Sequence, residues 1–160
     1  MPTLPQLIEE DIRELDSTLR ELLQLTEAST AMVIDKGGFV ITQFGLYEQF
    51  DTVTVAALAA ASFAATEGMA ALVSERNFTN VIQQGEVNSL LILNVDEYCL
   101  LTVVFRAQIS VGAVKYYATQ SIQRIAAQLQ RAHNRAPDSG YDLSMLNLED
   151  ARPLFLKRTA

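Results

Sequence analysis

The chain has 160 residues, a length that fits one domain with material left for a tail. Hydrophobic residues make up 49% and charged residues 19%, a globular composition shifted toward the apolar surface of obligate oligomers. The net charge of −7 argues against nucleic acid and against an anionic membrane, since binding through phosphates needs clustered Lys and Arg.

The first predicted element is a helix over about residues 4–28. Thr3 and Gln6 stand in capping-box spacing, and Ile8, Ile12, Leu15, Leu19 and Leu22 follow at steps of three and four. TAMVIDKGGFVITQF then holds two β-rich runs around Asp35, Lys36, Gly37 and Gly38, which predicts a hairpin. Asp51 or Thr52 can cap an Ala-rich helix running to about Arg76, with Asn77 as its stop. TNVIQQGEVNS is a weak polar strand, and SLLILNV and YCLLTVVFR are strongly apolar strands joined through Asp96 and Glu97. Ser110 opens a last helix on Val111, Val114, Ala118, Ile122, Ile125, Leu129 and Ala132. Turn formers in NRAPDSG mark a linker, and NLEDARPLFLKR beyond it has helical character interrupted by Pro153.

This order predicts an α+β fold with a largely antiparallel five-stranded sheet, whose two edges must be blunted or paired. Residues 1–133 form the expected domain, and 134–160 a tail that could carry a short partner-binding segment. Cys99 is the only cysteine, so no intrachain disulfide is possible; no basic segment followed by an apolar run opens the chain, and the cytoplasm is the expected location.

The Ala-rich helix is the unusual element. TVAALAAASFAATEGMAALV, residues 54–73, is apolar all round, so both of its sides should be covered. It has the length of a membrane span, but Thr54, Ser62, Thr66 and Glu67 interrupt a run made mostly of Ala, where a span would be richer in Leu, Ile, Phe and Val. At about 100° per residue, Val55, Leu58, Ser62, Met69, Leu72 and Val73 gather as the expected core stripe. Ala57, Ala60, Ala64, Gly68 and Ala71 gather elsewhere as a small-residue face that either admits another backbone or serves helix propensity. Gly68 favours the first reading, since mid-helix glycine costs about 1 kcal/mol relative to Ala.

Residues for chemistry are few. His133 is the only histidine and lies near the end of a helix, far from Cys99, which reads as a small core residue. One His and one Cys do not make a usual zinc site, and no phosphate-binding GxxxxGK[ST] is present, so no metal, cofactor or nucleotide is expected. Glu9-Glu10-Asp11 and Glu149-Asp150 read as solvated faces or first turns. Arg76 is the one candidate arginine finger, against the preferred reading that it complements the helix C-terminal dipole.

The hairpin MVIDKGGFVITQFG, the segment FDTVTVAALAAASFAATEGMAALV, the strand NFTNVIQQGE and the junction VFRAQISVGAVKYY together resemble a Roadblock/dynein-light-chain domain over about residues 30–130, and within it the bacterial MglB-type branch. The resemblance implies a profilin-like α-β-β-α-β-β-β-α fold with one five-stranded antiparallel sheet between helices. It also implies a homodimer paired through the second helix and following strand, with Ala57, Ala61, Asn80, Ile82 and Gln84 at the interface. A small Ras-like GTPase of the MglA type would sit over the paired helices, at Ala60, Ala64, Glu67, Gly68 and Ala71, with a tail contact around Leu148, Leu154 and Phe155. Proteins of this branch are regulators, not enzymes: they activate GTP hydrolysis in polarity or motility systems by rearranging the GTPase's own groups. The alternative is a non-catalytic Roadblock dimer serving as a scaffold or signalling module. Both readings use the same residues, because an indirect activator needs no catalytic residue of its own.

Overall fold

The two most apolar runs become the buried heart of one sheet, β4 (Asn88–Asn94) and β5 (Cys99–Arg106). Around them a computed structural model, which describes residues 4–135, places α1 (Glu9–Thr26), β1 (Thr30–Asp35), β2 (Val40–Gly45), a 3-10 turn (Tyr47–Gln49), α2 (Thr52–Leu72), β3 (Asn80–Gln84) and α3 (Val111–Asn134). The strand order is β2-β1-β5-β4-β3, and every neighbouring pair is antiparallel. The expected α-β-β-α-β-β-β-α order, with one five-stranded sheet between helices, is the observed one.

Alternation along the strands supplies two cores. Ala31, Val33, Leu91, Leu93, Leu101, Val103 and Phe105 point toward α1 and α3, where they meet Leu15, Leu19, Leu22, Val114, Ile125 and Leu129. Met32, Ile34, Ile92 and Leu100 point the other way, toward Ala56, Ala59, Ala60 and Phe63 of α2. The β1–β2 hairpin turns where the sequence places it, with Gly38 at φ 95°, a left-handed conformation that glycine adopts freely. By length and composition α2 could also cross a membrane; here its inner side covers the sheet.

Three expectations change. The first helix begins at Glu9, not near residue 4, and its cap is the Asp11 carboxylate accepting from the Ile8 amide at 2.8 Å; Thr3 lies outside the described residues. Asp11 is also not solvated: it is fully buried, accepting from Gln128 Nε2 at 2.7 Å and from both terminal nitrogens of Arg135 at 2.9 Å. Those hydrogen bonds, Arg135 foremost, hold its carboxyl well below the usual carboxylate range against the opposing effect of burial.

Second, α2 ends at Leu72 instead of reaching Arg76. Ser74 turns left-handed at φ 61°, and the Glu75 amide bonds back to the Ala70 carbonyl at 2.9 Å. Arg76 therefore stands beyond the last turn and exposed, its amide on the Glu75 carboxylate, so it does not serve as a last-turn partner of the helix dipole.

Third, the side of α2 that meets the sheet is not the stripe of larger residues. Leu58, Met69 and Leu72 are 64%, 52% and 86% exposed, Val73 is exposed as well, and Val55 and Ser62 are half-buried on a flank. The buried face is Ala56, Ala59, Ala60, Phe63, Thr66 and Ala70. The sheet explains the inversion. Its face is already filled by Met32, Ile34, Ile92 and Leu100, and small residues on α2 let the helix lie close over them with Phe63 as its one large knob.

Candidate functional site

The candidate site is the outer side of α2 together with β3, and its exposure follows from the layering. α1 and α3 cover each other and one sheet face; among the described residues nothing lies over the outer side of α2. Asp51 starts that helix cleanly, accepting from the Thr54 amide at 3.0 Å, and the bonds from Thr54 lower its carboxyl pKa. Along the outer side Leu58, Ala61, Ala65, Gly68 and Leu72 recur at steps of three and four, all exposed. A Cβ built on Gly68 would meet nothing within 4 Å.

The surface continues onto the sheet edge. Gln83 Nε2 reaches Ser62 Oγ at 3.5 Å and ties β3 to α2, while Ile82, Gln83 and Gln84 are exposed along the edge. α1 packs against the opposite edge strand, β2: Thr42 Oγ1 donates to Asp16, and a Cβ on Gly45 would come within 2.8 Å of the Leu23 side chain. The two edges therefore differ in their surroundings: β3 is the one that lies beside the exposed apolar side of α2.

On its other flank α2 borders a cavity of about 550 Å³, closed by the β1–β2 and β4–β5 turns. Leu4, Ala60, Phe63, Ala64 and Leu100 make the apolar wall; Asp35, Glu67, Glu97 and Lys36 make the charged rim. Lys36 stands 3.6 Å from the Glu67 carboxylate and 5.9 Å from the centre of the Phe63 ring. Tyr98 closes one side, and burial followed by the nearby Glu97 raises its phenol pKa.

The residues assigned from sequence thus divide between two flanks. Ala60, Ala64 and Glu67 come together at the cavity, though Ala60 is largely buried against the sheet and offers only its rim. Asn80, Ile82 and Gln84 lie on β3, on the other flank. Ala61, Gly68 and Ala71 are exposed on α2, and Ala57 is exposed where the hairpin turn approaches, a Cβ on Gly38 being 3.0 Å from the Ala57 Cα. Leu148, Leu154 and Phe155 lie outside the described residues. Sequence reasoning missed Leu58, Met69 and Leu72 as surface and Asp35, Lys36 and Tyr98 as cavity wall. The three-four spacing of the first set was the available signal; it marks a packing seam without saying whether the seam faces inward.

The remaining chemistry-bearing residues are structural. Cys99 is wholly buried in the α1/α3 core, where burial pushes its thiol up to about 12. His133 packs on the Tyr98 ring with centroids 5.9 Å apart. No group of three or more His, Cys, Asp and Glu is placed to hold a metal among the described residues.

One antiparallel sheet with a helix pair on one face and a single helix on the other is the profilin-like architecture, and Acanthamoeba castellanii profilin II overlays with a TM-score of 0.52 at 14% identity, covering 71% of this chain and 98% of that one. The Roadblock/LC7 domain model matches residues 14–105, and the chain belongs to that family. Within it the chain is close to MglB. A structure described as MglB with a tetrameric arrangement overlays with a TM-score of 0.75 at 27% identity, covering 82% of this chain and 99% of that one. The gliding protein MglB from Thermus thermophilus gives 0.74, also at 27% identity and with the same 82% and 99% coverage. No curated protein matches the sequence.

Proposed function

We propose that the chain is a homodimeric regulator of a small Ras-like GTPase of the MglA type, and that it raises hydrolysis by positioning the GTPase's own groups. The observation that carries this is an apolar outer side of α2, continuous with the open edge of β3, in a Roadblock chain close to MglB. Leu58, Ala61, Ala65, Gly68 and Leu72 supply one seam for a second copy, and paired β3 edges extend it into a sheet across a two-fold axis. The similar MglB with a tetrameric arrangement supports self-association. The GTPase then takes the cavity flank, with Ala64 and Glu67, in the cytoplasm.

GTP turnover by such a GTPase, with and without the full chain, tests the reading. Turnover should rise on addition. Stable binding with unchanged turnover would instead support the scaffold alternative, and absence of binding would overturn the GTPase regulator. Arg76→Ala should keep most of the stimulation; a loss of about a thousandfold, the size of a removed arginine finger, would overturn indirect activation.

A further inference from the structure

The cavity beside α2 draws its charge from three separate segments. Asp35 comes from the end of β1, Glu67 from α2 and Glu97 from the β4–β5 turn, and the one cation among them is Lys36. Among the described residues neither Asp35 nor Glu97 forms a salt bridge. The Asp35 carboxylate accepts from the Phe39 amide at 2.9 Å, so its own turn holds it in place. Beneath the acids lie Phe63, Ala64 and Leu100. The volume, about 550 Å³, falls within the ~300–1,000 Å³ of ordinary ligand pockets. Carboxylates that only kept the surface solvated would not converge from three elements over an apolar opening.

Lys36 shows what the cavity accepts. Its ammonium stands 3.6 Å from the Glu67 carboxylate and lies over the ring of Phe63, 5.9 Å from the centre. A cation is thus held at once by a carboxylate and by the negative face of an aromatic ring. One ammonium against three carboxylates leaves the rim with an excess of negative charge. A further cation on an apolar stem satisfies both parts of the cavity, the stem on Ala64 and Leu100 and the head among the acids. Arginine suits it better than lysine. Its guanidinium is planar and more weakly hydrated, stacks on aromatic faces and pairs with carboxylates through two nitrogens.

We propose that this cavity receives an arginine side chain of the partner GTPase, its stem along Ala64 and Phe63 and its guanidinium in the place of the Lys36 ammonium beside Glu67, with Asp35 and Glu97 on the same rim. The partner rests on the function proposed above; the choice of a guanidinium rests on the cavity alone. Lys36 is then a competitor supplied by the chain itself, and Glu67 and Glu97 make the complex sensitive to salt.

N-acetylarginine amide, titrated into the full chain, tests the cavity without the GTPase. The amide signals of Lys36, Gly37, Ala64, Glu97 and Tyr98 should shift, with an affinity about fivefold above that of N-acetylcitrulline amide, its uncharged near-isostere. Equal affinities, or shifts that avoid these residues, would overturn the site. Glu67→Gln with Glu97→Gln should abolish the preference for arginine and weaken GTPase binding by about tenfold in calorimetry. Glu10→Gln with Glu14→Gln removes the same charge from α1, on the other face of the sheet, and should change GTPase binding by less than about twofold. Equal losses from the two pairs would leave only long-range attraction and overturn the docking. Arginine preference with GTPase binding unchanged in Glu67→Gln with Glu97→Gln would assign the cavity to a free cation and overturn it as well. Lys36→Ala carries a sign: with the competing cation gone, GTPase binding should tighten by about threefold. Weaker binding would mean that Lys36 itself meets the partner, and would sink the proposal. A GTPase that binds neither the parent nor any variant overturns the function proposed above and the source of the arginine with it, while the comparison of arginine with citrulline still decides what the cavity takes.

Discussion

The two faces of the sheet are covered by opposite strategies. On one, α1 and α3 are ordinary amphipathic helices: large residues point inward, and the pair covers its own flanks, with Glu21 and Arg124 paired at the surface and Asp11 clamped to Arg135 beneath. On the other, α2 turns Ala56, Ala59, Ala60 and Ala70 toward the sheet and Leu58, Met69 and Leu72 toward solvent. A helix that works alone has no neighbour to cover its second side. Among the described residues nothing covers the large apolar residues on that side, and the proposed seam for a second copy rests on them.

The contrast is broken most severely from inside. Phe63, 2% exposed, is the single large side chain that α2 sends into its core, so Phe63→Ala should cost about 3–5 kcal/mol of folding stability by urea denaturation. Leu58→Ala should cost under about 0.5 kcal/mol when measured where the chain is monomeric. Equal costs would show that the outer residue is part of the fold.

Association should respond in the reverse sense. Leu58→Asp with Leu72→Asp places two charges on the seam and none in the core, so helical content should stay the same by circular dichroism. The dimer dissociation constant should rise at least a hundredfold by light scattering, about 2.8 kcal/mol. A double variant that remains dimeric at micromolar concentration would remove α2 from the interface.

The paired layer has its own test. Asp11→Asn removes the charge opposite Arg135 and replaces one of the two accepting oxygens, which take bonds from Ile8, Gln128 and Arg135, with an NH2 donor, and should cost about 2 kcal/mol at pH 7. The pH dependence has a definite sign. Since the folded pKa of Asp11 lies below its ordinary value of 3.8, its contribution is complete above that value and is lost as pH falls from there toward the folded pKa. The gap in stability between parent and variant should therefore narrow between pH 5 and pH 3, and a constant gap would assign the cost to packing.

What could be read in advance divides along the same line. α1, α3 and the strands were legible because each has one apolar face and one polar face, so period alone decides which side is buried. α2 has no polar face, and its small and large residues describe two stripes with no sign attached; only the sheet, already filled by Met32, Ile34, Ile92 and Leu100, determines that the small ones go in. Asp11 was hidden for a related reason. An acid in a first turn is ordinarily solvated, and the residue that buries this one is 124 positions away. The cavity was illegible because its walls come from α2, two turns, β5 and Leu4 ahead of α1, which adjoin only in the folded chain.

Gly68 supplies the smallest effect and the finest test of the contrast. Within the single chain it is an unexplained cost, because mid-helix glycine loses roughly 0.5–1 kcal/mol relative to Ala and its missing Cβ makes room for nothing within 4 Å. Its backbone is not left-handed either, so alanine fits without strain. Gly68→Ala should accordingly stabilise the monomer by about 0.5–1 kcal/mol in chemical unfolding. If a second copy's helix approaches there, the added methyl group occupies the space of that backbone, and the dimer should weaken by about tenfold at the same time. Opposite signs for folding and association are the signature of a residue kept for a partner. A variant that folds better and dimerises equally well would show that the close approach lies elsewhere on α2, and the seam would then rest on Leu58 and Leu72 without Gly68.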